Sequence, residues 1–123
     1  MKARPMIENG STKWYQDNIL HREDGPAIEW ANGTKEWYLR GRLHREDGPA
    51  VEYNKGTKTW YSNGEIHRED GPAIESSDGG KYWFLFGSEC TKEQHQHWRD
   101  KKNLNDNLQT TLKPKNIQKR SKI

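Results

Sequence analysis

Residues 43–52, Leu43-His44-Arg45-Glu46-Asp47-Gly48-Pro49-Ala50-Val51-Glu52, return almost unchanged at 20–29 and at 66–75. His21, His44 and His67 stand 23 residues apart, as do Gly25, Gly48 and Gly71. A second marker keeps that period: Trp14-Tyr15, Trp37-Tyr38, Trp60-Tyr61, then Trp83-Phe84. Repetition at a fixed period of this size marks one small structural unit stacked along a line.

Each unit is punctuated three times. Gly33, with Gly10, Gly56 and Gly79, closes a short polar loop. Gly41 and Gly64 mark a second turn, where the first unit has Asn18, another residue that tolerates positive φ. Glu46-Asp47-Gly48-Pro49 marks a third, and its proline suits only a strand start or a strand edge. The pieces between are short and β-rich, which predicts an antiparallel meander. The fold class is therefore mainly β: an elongated antiparallel β-hairpin repeat sheet with a short C-terminal helix and a basic tail.

Charge pairing sets the register. A three-residue loop at Ala31-Asn32-Gly33 places Glu29 opposite Lys35, and the same rule opposes Glu52 to Lys58 and Glu75 to Lys81. Opposite charges across a ladder favour this register over one that would oppose Glu29 to Glu36. Ala27 then faces Trp37, and a two-residue turn at Arg40-Gly41 sets Trp37 opposite His44 and Tyr38 opposite Leu43. Because neighbouring strand residues point oppositely, two unlike faces result. Ile28, Trp30, Tyr38, Leu43, Val51, Tyr53, Tyr61 and Ile66 form an apolar face. Ala27, Glu29, Lys35, Trp37, Arg42 and His44 form a polar face with a tryptophan ladder. A single layer leaves the apolar face uncovered. Curling of the sheet, the 104–112 segment, a second copy or a foreign protein would each cover it.

The ends of the array differ from its middle. At the start, Pro5-Met6-Ile7-Glu8-Asn9-Gly10 matches Pro26-Ala27-Ile28-Glu29-Trp30-Ala31-Asn32-Gly33 with two residues missing. An even deletion should leave every side chain on its proper face. At the far end Ser88-Glu89-Cys90 replaces Arg42-Leu43-His44. Thr91 and Gln94 have the spacing of a capping box, predicting a helix to about Lys102 that lies over the last hairpin as a lid, with Trp98 as its apolar anchor. Leu104, Leu108 and Leu112 make a weaker helical stripe, ended by Lys113-Pro114-Lys115. The division is thus 1–90 for the array, 91–112 for a helical segment and 113–123 for a basic, disordered tail.

Composition bounds the function. Leu, Ile, Val and Phe together number 17 of 123 residues, so six Trp and five Tyr must supply the buried apolar area. Residues 1–90 carry 12 Lys and Arg against 15 Asp and Glu, a net of −3. Residues 91–123 carry 9 against 3, a net of +6, so the basicity belongs to the C-terminal segment. Cys90 is the sole cysteine, which excludes an internal disulfide and predicts a reducing, cytoplasmic setting. No apolar run reaches the length of a membrane span.

No arrangement of residues calls for catalysis. An acid–base pair or a zinc site needs unlike groups converging on one point, whereas three equal His-Arg-Glu-Asp copies lie side by side. Their expected role is architectural: histidine beside tryptophan, aspartate capping the turn, arginine on a nearby carboxylate or carbonyl. His95 and His97 point to different sides of a helix and read as surface residues. Cys90 reads as a buried or idle thiol. The expectation is a protein that is not an enzyme and needs no cofactor and no metal.

The tryptophan ladder with interleaved Lys and Arg fits three roles: pure architecture, a protein contact, or stacking of single-stranded bases. What differs between copies is freer to serve recognition. The differing columns are Gln16/Leu39/Ser62/Leu85, Asp17/Arg40/Asn63/Phe86, Ile19/Arg42/Glu65/Ser88 and Trp30/Tyr53/Ser76. The candidate partner-binding residues are Trp37, Trp60, Arg40, Arg42, Trp30, Tyr53, Trp98 and Leu108. The expected partner is another protein, with a homodimer as a further option and single-stranded nucleic acid as the alternative.

The pattern Trp-Tyr-x-x-Gly-x-Leu-His-Arg-x-Asp-Gly-Pro-Ala-x-Glu, over residues 5–90, resembles the divergent MORN-type hairpin repeats of phage, giant-virus and bacterial proteins. It departs from the standard MORN pattern, in which Tyr and Gly recur differently. The resemblance implies an interaction scaffold without catalytic residues. By analogy, it implies a small phage protein that binds and inhibits a host or defence protein in the host cytoplasm.

Overall fold

The structure, a computed structural model, describes residues 2–116, with side chains along the final helix described as far as Leu108. The first hairpin is β1 (Arg4–Glu8) and β2 (Ser11–Gln16), and β3 (Ile19–Leu20) folds back on β2. The next unit contributes β4 (Ile28–Glu29), β5 (Lys35–Glu36), β6 (Tyr38–Leu39) and β7 (Arg42–Leu43). The one after it repeats them as β8 (Val51–Glu52), β9 (Lys58–Thr59), β10 (Tyr61–Ser62) and β11 (Glu65–Ile66). The array ends with β12 (Ile74–Glu75), β13 (Lys81–Leu85), β14 (Ser88–Cys90) and the helix α1 (Lys92–Asn116).

All pairings are antiparallel. A ten-stranded sheet runs β1-β2-β4-β5-β8-β9-β12-β13-β14, with β3 beside β2, while β6-β7 and β10-β11 are separate two-stranded sheets. The register follows the charge rule: Glu29 lies opposite Lys35, Glu52 opposite Lys58 and Glu75 opposite Lys81. The second turn also falls as expected, with Tyr38 opposite Leu43 and Leu39 opposite Arg42. Its central residues Arg40 and Gly41 both have positive φ, at 52° and 80°. That is the geometry which lets a two-residue hairpin match the twist of its strands.

In the two complete units the strand is interrupted at Trp37 and Trp60, whereas β2 and β13 run on through Trp14 and Trp83. Trp37 gives its amide to the carbonyl of Ala50 in the following unit, and Trp14 and Trp60 treat Ala27 and Ala73 in the same way. Where the strand is interrupted, at Trp37 and Trp60, the second hairpin forms its own small sheet. The Tyr38 hydroxyl donates to Glu36 Oε1 at 3.0 Å, and Glu36 sits in the row between Ile28 and Val51. Ile28 and Val51 are only 4% and 3% exposed. Part of the apolar face is therefore closed by the chain's own second hairpin, which a single flat layer would have left open. Trp30 and Tyr53 remain exposed.

Two expectations fail at the ends. The first hairpin turns on two residues, Asn9 and Gly10, where complete units use three, so Glu8 pairs with Ser11 and Ile7 with Thr12. This slips the pairing by one residue. Met6 lies opposite Lys13 in the row of Ile28, and Ile7 moves to the row of Glu29. A one-residue slip exchanges faces. Both Ile7, at 76%, and Met6, at 64%, are nevertheless exposed, because β1 is the outer strand, while Ile28 is buried between two strands.

At the other end, α1 is one unbroken helix to Asn116 and does not stop near Lys102 or at Lys113. Pro114 lies in its last turn, where a missing amide deletes a single intrahelical bond. Residues 113–116 thus belong to the helix, and the rest of the expected basic tail, 117–123, lies outside the described residues. The capping box forms as predicted: Gln94 N–H donates to Thr91 Oγ1 at 3.0 Å and Thr91 N–H to Gln94 Oε1 at 2.8 Å. Among the described residues no helix is long and apolar enough to cross a membrane.

Candidate protein-binding groove

Each His-Arg-Glu-Asp copy builds the same arginine lid. The Arg45 guanidinium lies 3.8 Å above the Trp37 ring, and its Nε donates to Asp47 at 3.2 Å. Its Nη1 donates to the Pro49 carbonyl at 3.0 Å and to Glu52 at 2.9 Å. Arg22 covers Trp14 and Arg68 covers Trp60 in the same way, at 4.0 and 3.8 Å. The planar fork of arginine makes these bonds while its face stacks on the indole, which an ammonium group would not do. Gly48 is explained by this lid and not by turn chemistry. A Cβ there would stand 2.9 Å from Arg45 Cζ. The ladder glutamates therefore bond to arginine across the turn, although the strand register opposes them to lysine.

The histidines reach forward, and do not pin their own tryptophans. His21 Nδ1 accepts the amide of Arg40, His44 Nδ1 that of Asn63 and His67 Nδ1 that of Phe86, at 2.9, 3.0 and 2.9 Å. All three donors are residues at positive φ, where a non-glycine backbone is strained. The imidazole thus holds the next unit's turn in place. At the opposite edge a hydroxyl does the same work: Ser11, Thr34 and Thr57 accept the amides of Ala31, Asn54 and Ser77.

Between two successive copies of this frame lies an open groove of about 1140 Å³. Its walls are the loops His21–Gly25 and His44–Asp47, and Trp37, Leu39, Arg40, Arg42 and Asn63 complete it. Arg22 and Arg45 are engaged by carboxylates, whereas among the described residues neither Arg40 nor Arg42 makes an ion pair. Glu23, Asp24, Glu46 and Asp47 have side chains 82–89% exposed along the same rim. The surface carries both signs side by side.

The expected site residues fall in three places. Trp37, Arg40 and Arg42 meet in the groove. Trp60 lies one unit on, under Arg68. Trp30 and Tyr53 belong to the opposite, Ile28-bearing face, where Trp30 Nε1 donates to Glu36 at 2.7 Å. Burial pushes the hydroxyl of Tyr38 up to about 12, reinforced by its bond to Glu36. Trp98 packs on the end of the array, edge-on to Phe86 and His67 at 5.8 and 6.1 Å, and Leu108 is exposed on α1.

His95 corrects its reading as a surface residue. It is 1% exposed and its Nε2 lies 2.6 Å from the Arg68 carbonyl, which anchors α1. Thr91, His95, Trp98 and Lys102 repeat at helical spacing, and that stripe was the available signal. Burial raises the Cys90 thiol above its ordinary value, with Glu89 adding to the effect, so the thiolate is disfavoured. Among the described residues no three His, Cys, Asp or Glu side chains are placed to share one metal ion.

The carboxylates and Leu39 and Asn63 were not among the expected site residues. Leu39 and Asn63 belong to columns that differ between copies, and that was their signal. No protein-family model, curated protein or solved structure matches this chain.

Proposed function

We propose that the chain is a non-enzymatic protein-binding repeat module whose groove between His21 and Asn63 receives a segment of another protein. One observation carries this reading: the groove has an invariant frame and a variable lining. Its walls are two copies of the same loop, while Leu39, Arg40, Arg42 and Asn63 come from the columns in which copies differ. A repeat scaffold that holds its frame constant and varies the exposed positions is suited to recognition. Arg40 and Arg42, which make no ion pair among the described residues, stand beside exposed carboxylates and suit a polypeptide of mixed charge, because Arg anchors protein interfaces.

The alternative, stacking of single-stranded bases on the tryptophan ladder, meets a physical obstacle. One face of each of Trp14, Trp37 and Trp60 is occupied by the chain's own arginine at 3.8–4.0 Å. A base stacking on that face would have to displace a guanidinium held by two carboxylates. The lid therefore favours the protein partner.

Affinity capture from the native host, with Arg40→Glu/Arg42→Glu as the comparison, tests the proposal. Retention of a protein by the parent chain, and its loss or at least a tenfold weakening in the double variant, is the expected result. Capture unchanged by the double variant removes the groove. Binding of a single-stranded oligonucleotide that falls steeply with salt would favour the alternative.

A further inference from the structure

The array is finished differently at its two ends, and the N-terminal finish leaves a usable edge. Along the array, neighbouring units are joined by strand pairs such as Lys35 with Glu52 and Lys58 with Glu75. At the C-terminal end the connectors are removed. Gly80 stands where Ser11, Thr34 and Thr57 offer a hydroxyl, Cys90 stands where the histidines stood, and α1 covers the last hairpin. At the N-terminal end β1 is an outer strand of the sheet, and all five of its residues are exposed. Met6 and Ile7 are 64% and 76% exposed, and no described residue covers them.

The free groups of this edge follow from its turn. Residues flanking a two-residue hairpin turn exchange both backbone bonds, so Glu8 with Ser11, and then Met6 with Lys13 and Arg4 with Tyr15, face inward. Pro5 and Ile7 face outward. The outward position is the one a proline tolerates, because its missing amide would break an inward pair. The open edge therefore offers the Ile7 N–H and the carbonyls of Pro5 and Ile7.

This edge is complementary to itself. We propose that two copies of the chain pair through β1, antiparallel about a twofold axis at Met6, making one continuous sheet from two arrays. In that register each Ile7 N–H donates to Pro5 C=O of the second copy; the reciprocal bond would need an N–H on proline, so the Ile7 carbonyl stays with water. Met6 meets Met6 of the second copy on the face that carries Ile28. Arg4 meets Glu8 of the second copy on that same face, twice over. The neighbouring register, centred on Ile7, would set Met6 against Glu8 and leave Arg4 unmatched, so charge selects the first. An isologous contact of this kind closes at two copies. It extends the strand pairing that already joins the units, and it is independent of the groove.

The test is mass against concentration for the whole chain, read by sedimentation equilibrium, with four variants. The parent chain doubles from 14.5 kDa as concentration rises. Ile7→Pro removes only an outward amide and stays at the single-chain mass. Arg4→Glu and Glu8→Arg each weaken pairing at least tenfold, and the double exchange restores it, which a folding defect would not do. In a Cys90→Ser background, Met6→Cys cross-links to its own kind on mild oxidation, because non-bonded pairs bring Cα atoms to about 4.5 Å. A parent chain that keeps its single-chain mass at every concentration overturns the proposal. So does a dimer that survives Ile7→Pro, or a double exchange that restores nothing.

Discussion

Ser11 of the first hairpin accepts the amide of Ala31 across to the next unit, whereas Gly80, its counterpart in the last hairpin, has no hydroxyl to offer. The same contrast appears over the tryptophans. Trp14 lies under Arg22 at 4.0 Å, but Trp83 has only the Lys92 ammonium at 5.9 Å. The C-terminal end has thus given up the devices that would hold a further unit and has taken a helix in their place. The first hairpin keeps the devices that hold its neighbour, and no described residue covers β1. A stacked β-unit is thus stabilised largely by what joins it to the next one.

The largest effect should come from an interior lid set against its terminal substitute. Arg45→Ala removes an indole contact and leaves Asp47, Glu52 and the Pro49 carbonyl without their donor, for an expected loss of about 3 kcal/mol. Lys92→Ala should cost less than about 0.5 kcal/mol, as an exposed cation at longer range. Denaturant midpoints of the two variants measure the difference, and equal losses would erase the distinction between interior and end. Trp98→Ala comes next, at about 2 kcal/mol, since it strips the aromatic contact on Phe86 and His67 that seats α1. A fall in helical circular dichroism at lower denaturant than the loss of tryptophan fluorescence would show the helix leaving first. Thr91→Ala should cost about 1 kcal/mol through the lost cap.

Alkaline titration probes the interior without touching either end. The Tyr38 hydroxyl has its folded pKa raised from 10 to about 12, so the folded state holds a proton that the unfolded chain has released. Stability is full below pH 10 and falls as pH climbs through that window. Tyr38→Phe should flatten the fall, and an unchanged alkaline transition would deny the tyrosine its role. The smallest effect belongs to the open end. Ile7→Thr should change stability by less than about 0.5 kcal/mol, as an exposed apolar residue on an edge strand.

The strand register was legible because it rests on local chemistry repeated three times. Glu29, Glu52 and Glu75 each had a lysine six residues on, and loop length alone then fixed the pairing. Thr91 and Gln94 announced the helix start for the same reason. Long-range partnerships were less visible. That His21 would serve Arg40 nineteen residues away depends on how one unit lies on the next, and no pattern within a unit specifies that. The glycine of Asp47-Gly48-Pro49 resembles a turn residue in sequence, yet its neighbour in space is a guanidinium. The slipped first hairpin went unread because counting deleted residues hides a change of turn type. In the groove, Arg40 and Arg42 were legible as variable positions. The carboxylates beside them were not, because their invariance suggested architecture alone.

The joints between units have one more consequence. His21 bonds to a backbone amide nineteen positions ahead, and Thr34 to one twenty ahead, so these ties never reach past the adjoining unit. Such a chain should fold like a zipper, with short closures following one another and little loop entropy to overcome at any step. Splicing in another 23-residue copy would then lengthen the molecule by one rung and leave each existing rung's surroundings as they were.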